Sequence, residues 1–232
     1  MRMCRRKGHS VAASLSTRAI WRSALAETMI RALVVDLDGV LRLLDKEAAK
    51  RACRKIGFEL DELGDVLWHD EIGRALLRGK TTRDEWWKRV QTKEPRLKRL
   101  SHKYVMQSVY DRSSSIDGEL LAYLKAVSGT IPVSILTNSD AQSKKETLKE
   151  LGKDNPFTQV VASSDIGYAK PDPGSFLEML RMVDARPEEC LFFDDKNRNV
   201  AVAAGLGIQA HLYTGVQDLK RIVEPFLSDG SH

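Results

Sequence analysis

The chain has 232 residues, of which 42% are hydrophobic and 30% charged, as in an ordinary globular protein, and no apolar run reaches the roughly 18 residues that a membrane-spanning helix needs. Its three cysteines are far apart and show neither a disulfide framework nor zinc-ligand spacing, which favours a reducing compartment. The net charge of +5 arises in residues 1–31, which hold seven basic side chains and one acid. The rest of the chain has 30 basic and 31 acidic residues and is therefore nearly neutral. This balance argues against a basic nucleic-acid-binding domain.

Residues 1–28 form a basic extension before the first predicted strand. The segment is rich in Arg and Ser and has no acid before Glu27, so its composition resembles an organellar transit peptide more than a secretory signal. A disordered tail, or an upstream start codon assigned in error, explains the same composition, since Met29 directly precedes the first strand. We therefore predict a cytoplasmic protein, with organellar targeting as the alternative.

Short apolar runs alternate with helical patterns through most of the remaining chain. The runs predict strands at Ala32–Val35, Val133–Leu136, Gln159–Ala162, Leu191–Phe193 and Ile208–Leu212. Between them, helices are predicted at Ile116–Val127, at Ala141–Leu151 and from the Asp172 cap to about Val183. Strands that alternate with helices predict an α/β fold with a Rossmann-like, doubly wound parallel sheet.

Residues 45–110 interrupt this alternation. The segment has no convincing strand, whereas "DKEAAKRACRKIG", "DELGDVLWHDEIGRALLRG" and "TTRDEWWKRV" all have helical patterns. We expect a small α-helical cap domain here, inserted into a core formed by residues 29–44 and 111–232, with Trp86 and Trp87 in the core of the cap. Ten basic and three acidic residues between Arg78 and Lys103 predict a solvated helix face, with attraction of an anionic substrate as the alternative.

Polar residues follow each of the first four predicted strands. In chain order they are Asp36 and Asp38, Thr137 and Asn138, Lys170, and Asp194 and Asp195. Because ligands of open parallel sheets bind at the carboxyl ends of the strands, we expect these residues to meet at one rim. Clustered carboxylates repel one another unless a cation neutralises them, and hard oxygen ligands select Mg²⁺. A lysine and a hydroxyl beside such a cation are suited to phosphate oxygens.

Four segments around these residues carry a family resemblance. "DLDGV", "LTN", "KPDPGSF" and "FFDDKNRNVAVAAGLG" resemble, in the same order, the motifs of the haloacid dehalogenase-like hydrolase superfamily, in its subfamily with a helical cap after the first motif. Taken alone, DxDG is also typical of a turn or a calcium loop, and Thr137 and Lys170 are ordinary at a strand end and in a loop. All four segments together at strand ends are specific.

The resemblance implies the catalytic residues. Asp36 corresponds to the nucleophile that forms an aspartyl-phosphate, and Asp38 to the general acid and base. Thr137 and the Asn138 backbone amide correspond to the groups that bind the transferring phosphoryl group. Lys170 corresponds to the cation that bridges the nucleophile and the phosphate.

The resemblance also implies a Mg²⁺ site. Its ligands correspond to Asp36, Asp38, Asp195 and Asp194, with Asp195 favoured as a direct ligand and Asp194 binding directly or through water. Asn199 corresponds to a supporting position that orients the metal site.

These correspondences imply a Mg²⁺-dependent phosphatase that acts on a small phosphorylated metabolite. The related dehalogenases lack an acid at the position of Asp38, which argues against dehalogenation. After "DLDGVL" the chain lacks the Thr/Ser and His of the sugar phosphomutases, so a phosphomutase is only an alternative. A non-catalytic member that binds partners through its basic extension and cap is another alternative. The oligomeric state has no signature in the sequence.

Overall fold

The structure, a computed structural model, describes residues 29–227, so the basic extension at residues 1–28 lies outside the described residues. Within them the strands are β1 (Ala32–Val35), β2 (Arg42–Leu44), β3 (Ser114–Ile116), β4 (Val133–Thr137), β5 (Phe157–Ala162), β6 (Cys190–Asp194) and β7 (Gln209–Leu212). A parallel sheet has the order β5-β4-β1-β6-β7, and β2 and β3 pair antiparallel as a separate ribbon. The predicted parallel α/β sheet is confirmed, with β1 in its centre.

Helices connect the strands and flank the sheet. They are α1 (Lys46–Lys55), α2 (Leu60–Gly64), α3 (Glu71–Leu77), α4 (Arg83–Lys93), α5 (His102–Val109), α6 (Gly118–Val127), α7 (Ala141–Leu151), α8 (Ser163–Ile166), α9 (Pro173–Val183), α10 (Asn197–Gly205) and α11 (Val216–Val223). None of the helices within residues 29–227 combines the length and the apolar character needed to cross a bilayer.

The side chains of β1 show how the sheet is covered. Because side chains alternate along a strand, Leu33 and Val35 pack in one apolar cluster with residues of α6 and α11. Ala32 and Val34 pack on the opposite face, with residues of α9 and α10. Both faces are buried, which is why β1 is a continuous apolar run in the sequence.

The segment between β2 and β3 contains α1 to α5, here called the helical insert, together with a π-helical turn at Asp65–His69. Its apolar side chains form a cluster of their own, separate from the two clusters on the sheet. Trp86 and Trp87 are buried in this cluster, as predicted, and so is Cys53. The β2–β3 ribbon pairs Arg42 with Ile116 and thereby joins the two ends of the insert.

Several element boundaries differ from those predicted. The strands β4, β5 and β6 extend one or two residues beyond the predicted runs, and three further differences have a local cause. Ile116 belongs to β3, and α6 begins two residues later because the Asp117 carboxylate accepts hydrogen bonds from two amides of its first turn. The helical pattern at 61–79 divides at Asp70, whose carboxylate caps α3 in the same way. Ile208 precedes β7 rather than starting it. In each case a side-chain cap or a strand pairing, rather than the apolar pattern, sets the end of the element.

Candidate active site

The polar residues at the ends of β1, β4 and β6 meet at one end of the sheet. Val35 of β1 pairs with Ile135 in β4 and with Phe193 in β6, so the three strands end close together. Three polar side chains lie buried at these ends, those of Asp36, Thr137 and Asp194. Buried carboxylates need a counter-charge or hydrogen bonds to remain ionised.

The Lys170 ammonium supplies this counter-charge. Its Nζ lies 2.8 Å from Asp36 Oδ1 and 2.7 Å from Asp194 Oδ2, and it donates to the Leu136 carbonyl at 2.9 Å. The three side chains of this ion-pair group are at most 4% exposed. An ammonium has three donors, and here each of them has an acceptor. The structure thus brings Lys170 against the candidate nucleophile.

Asn138 fixes the backbone that carries Lys170. The Asn138 side-chain Nδ2 donates to the Lys170 carbonyl, and its Oδ1 accepts from the Lys170 amide, both at 2.8 Å. This positioning role of the side chain was missed by the sequence analysis, which assigned only the Asn138 backbone amide. The contact joins two distant segments of the chain, so no local pattern signals it.

Asn199 orients the second carboxylate. Its Nδ2 lies 2.9 Å from each oxygen of Asp194, and the Lys196 amide donates to Asp194 Oδ1 at 2.8 Å. Both oxygens of Asp194 are therefore already hydrogen-bonded before any ligand binds. Asn199 thus contacts one of the predicted metal ligands, and its role in orienting a metal site stays a prediction.

The two buried carboxylates differ in their electrostatics. Burial raises the pKa of Asp36 to about 7, because the favourable Lys170 charge does not fully offset desolvation and the nearby Asp194 charge. Burial acts on Asp194 in the same direction, but Lys170, the Lys196 amide and Asn199 together lower its pKa below the usual value. Asp194 and Lys170 thus form a stable ion pair, and the charge of Asp36 lacks full compensation.

Asp36, Asp194 and Asp195 form a candidate metal site. One carboxylate oxygen from each lies within 4.8 Å of the others. Two lysines lie beside these carboxylates, Lys170 and Lys196, whose Nζ is 3.7 Å from Asp195 Oδ1. Three carboxylates exceed two ammonium groups by one negative charge, and their hard oxygen donors fit a divalent cation of the Mg²⁺ type. The Asp38 side chain is not part of this group, because it is exposed and binds Arg42 Nε at 2.7 Å. The structure therefore brings together three of the four acids predicted as ligands.

Gly39 has no side chain, and the Asp195 carboxylate occupies the space that a Cβ at this position would need. The φ of Gly39 is +94°, a conformation that favours glycine, and a Cβ here would lie 2.4 Å from Asp195 Oδ2. The Gly39→Ala variant should therefore displace Asp195 and weaken the binding of a divalent cation by about tenfold or more, measured by isothermal titration calorimetry. Gly57→Ala is the matched control, since Gly57 has a φ of +82° and no atom within 4 Å of the added Cβ. Equal cation affinities of the two variants would contradict this role of Gly39.

A cavity of about 580 Å³ separates this end of the sheet from the helical insert. Its sheet side is lined by polar residues, among them Asp38, Asn138, Ser139 and Lys196. The Ser139 hydroxyl is buried and has no hydrogen-bond partner among residues 29–227. Ser139 directly follows the "LTN" segment and is a cavity residue that the sequence analysis missed.

Arg83 joins the insert to the sheet domain beside the cavity. Its Nη2 lies 2.9 Å from Asp140 Oδ2 and 2.8 Å from Ser143 Oγ, which places the start of α4 against the start of α7. Eight of the ten basic residues from Arg78 to Lys103 are exposed, as a solvated helix face predicts. Arg83 differs from them because it is largely buried in this contact.

Comparisons with known proteins identify the family. The profile of the haloacid dehalogenase-like hydrolases matches residues 30–207. The chain belongs to this hydrolase family. Among relatives, drimenol cyclase drtB of Aspergillus calidoustus is 28% identical over 201 residues, which are 83% of this chain and 36% of that protein. The chain thus spans about a third of the length of this relative.

A second relative of this hydrolase matches over nearly its whole length. D-ribitol-5-phosphate phosphatase of Bacteroides thetaiotaomicron is 25% identical over 188 residues, 78% of this chain and 90% of that protein. Among solved structures, a wild-type haloacid dehalogenase family enzyme of the same species, in complex with magnesium and inorganic phosphate, has a TM-score of 0.69 at 23% identity. That match covers 83% of this chain and 98% of the other, and it shows a shared fold.

Proposed function

We propose that the protein is a Mg²⁺-dependent phosphatase that hydrolyses a small phosphomonoester through an aspartyl-phosphate on Asp36. The observation that carries the proposal is the buried group in which Lys170 bridges Asp36 and Asp194, beside Asp195. The relative named as a sugar-alcohol phosphatase supports it, as does the magnesium and phosphate complex of the structural neighbour.

Asp36, Asp194 and Asp195 would hold the Mg²⁺. Asp195 is favoured as a direct ligand because it is the exposed member of the group, with only Lys196 Nζ beside it at 3.7 Å. The oxygens of Asp194, in contrast, are already bound by Lys170, Asn199 and an amide. When bound, the cation compensates negative charge on the carboxylates and on the phosphate oxygens. The incomplete compensation of Asp36 supports the need for this additional charge.

Asp36 acts as the nucleophile. Its Oδ1 accepts from the Leu37 amide at 2.7 Å and lies 2.8 Å from Lys170 Nζ, so the orientation of the carboxylate is fixed. A carboxylate oxygen of Asp36 bonds to phosphorus while the bond from phosphorus to the ester oxygen breaks. Water then attacks the phosphorus of the aspartyl-phosphate, which releases inorganic phosphate and restores Asp36.

Asp38 acts as the general acid and base. The carboxylate lies at the wall of the cavity, and the Arg42 guanidinium orients it through Nε at 2.7 Å. Asp38 protonates the leaving alkoxide in the first step and removes a proton from the attacking water in the second. Thr137, buried at the end of β4, and the Asn138 amide bind the phosphoryl oxygens.

A phosphatase assay tests the proposal. The purified protein, supplied with Mg²⁺, should release inorganic phosphate from p-nitrophenyl phosphate and from members of a phosphomonoester panel. Removal of the metal with EDTA should stop the release, and excess Mg²⁺ should restore it. EDTA already saturated with Mg²⁺ is the control for effects of the chelator itself. No phosphate release from any ester of the panel would overturn the proposal.

A further inference from the structure

The cavity above the acidic residues has an apolar wall opposite its polar sheet side. This wall belongs to the helical insert and the adjoining ribbon, and it is formed by Leu44, Trp68, Leu77, Trp86, Met106 and Tyr110. The rings of Trp68 and Trp86 stack at a centroid distance of 5.2 Å and an angle of 12°. Trp86 is fully buried against Trp68, so the accessible hydrocarbon surface of the cavity is formed by the half-buried side chains of Leu44, Trp68, Leu77, Met106 and Tyr110.

The polar atoms of these aromatic residues are already satisfied within the protein. Trp86 Nε1 donates to the Leu67 carbonyl at 3.2 Å, and the polar atoms of Trp68 and Tyr110 lie beside each other and interact. They therefore need no hydrogen-bond partner from a ligand. A ligand hydroxyl placed against this wall would lose its bonds to water without gaining new ones, which is unfavourable.

The charges around the cavity disfavour a second anionic group. Arg42 binds Asp38 and also lies 3.6 Å from Glu150, and Arg83 binds Asp140 and lies 3.5 Å from Glu146. The lining contains five acids, Asp38, Asp111, Asp140, Glu146 and Glu150, against three cations, Arg42, Arg83 and Lys196. Both arginines are thus neutralised by protein carboxylates, and the excess charge of the lining is negative.

We propose that the substrate is the phosphomonoester of a largely apolar alcohol or phenol that carries no second anionic group. This inference rests on the proposed function, because it assigns the organic part of the same substrate. The phosphate would lie at the polar end beside Lys170, and the organic group would lie against the apolar wall. The cavity of about 580 Å³ falls in the range of roughly 300–1,000 Å³ that is typical of small-molecule sites.

A substrate series tests the inference. With Mg²⁺ present, kcat/KM should rise from ethyl to butyl to hexyl phosphate, by about tenfold or more over the series. Hexyl phosphate should also exceed sorbitol 6-phosphate, which has the same number of carbons but carries hydroxyls, and the hexyl ester with an added terminal carboxylate. Equal values along the series, or a preference for the hydroxylated or carboxylated ester, would overturn the inference and leave the proposed function standing.

Variants in α5 test whether the apolar wall causes the preference for longer alkyl phosphates. Met106→Gln places an amide on the cavity surface at similar side-chain length, so it should remove most of the gain from ethyl to hexyl phosphate. Tyr104→Gln is the matched control, because Tyr104 is 51% exposed on the same helix, and it should keep the whole gain. An unchanged gain in Met106→Gln would contradict the assignment of this wall.

Binding of non-hydrolysable phosphonates separates the two proposals. Hexylphosphonate should bind the Mg²⁺-loaded protein about tenfold or more tightly than ethylphosphonate, measured by isothermal titration calorimetry. If this preference is found but no ester is hydrolysed, the apolar wall binds the organic group as inferred, and the proposed function fails. Equal binding of the two phosphonates would overturn the inference.

Discussion

Replacing Lys170 with methionine should both destabilise the protein and stop hydrolysis. Lys170→Met keeps the length of the side chain but leaves Asp36 and Asp194 buried with no cation between them. Loss of one partner from a buried charged group typically lowers the free energy of unfolding by about 3–5 kcal/mol. Urea unfolding in EDTA measures this loss, since no bound metal can then replace the missing charge. Phosphate release in the presence of Mg²⁺ measures the loss of activity.

Lys144→Met is the matched control for this substitution. Lys144 Nζ lies 2.6 Å from Asp165, but both side chains are partly exposed, at 27% and 34%. Such pairs contribute only about 0–1 kcal/mol, so stability and activity should both stay near those of the unsubstituted protein. If Lys170→Met is as stable as Lys144→Met in EDTA, Lys170 does not hold the carboxylates as described.

The sheet was predictable because its strands are buried on both faces. Such strands must be apolar at every position, and β1 and β6 are therefore visible as runs in a single sequence. The end of the ribbon at Ile116 was not predictable in the same way. Ile116 is in a strand because it pairs with Arg42, on the far side of the whole helical insert, and a local pattern contains no information about such a partner.

The candidate site was predictable to the same extent: the positions of its residues at strand ends were predicted, and their side-chain partners were not. Strand ends placed Asp36, Thr137 and Asp194 correctly at one rim, since that placement follows from the topology. The partners of the side chains depend on distances between segments, and these were missed. The contact of Asn138 with the Lys170 backbone is one example, and the contact of Arg83 with Asp140 is another. Topology thus predicts which residues meet, and packing decides which of their atoms bond.

Replacing Asp36 with asparagine should remove hydrolysis while the fold survives. Asparagine has nearly the same shape, but its amide is a poor nucleophile, so kcat should fall by a factor on the order of 10³ or more. Stability should fall little, because Lys170 keeps its ion pair with Asp194. Burial raises the pKa of Asp36 to about 7, so the variant also loses a charge that the protein stabilises poorly near neutral pH. Both variants should lose activity, but Asp36→Asn should keep its stability, whereas Lys170→Met should lose it.

Trapping the phosphoenzyme identifies the nucleophile directly. When turnover is quenched in acid, intact-mass spectrometry of the unsubstituted protein should show the addition of one phosphoryl group, and the Asp36→Asn variant should show none. Asp38→Asn is the matched control, because it retains Asp36 and loses the base that activates water, so its phosphorylated fraction should rise with p-nitrophenyl phosphate, whose leaving group needs little protonation. Phosphorylation of the Asp36→Asn variant, or its turnover at the full rate, would show that another residue attacks phosphorus and that Lys170 serves a different chemistry.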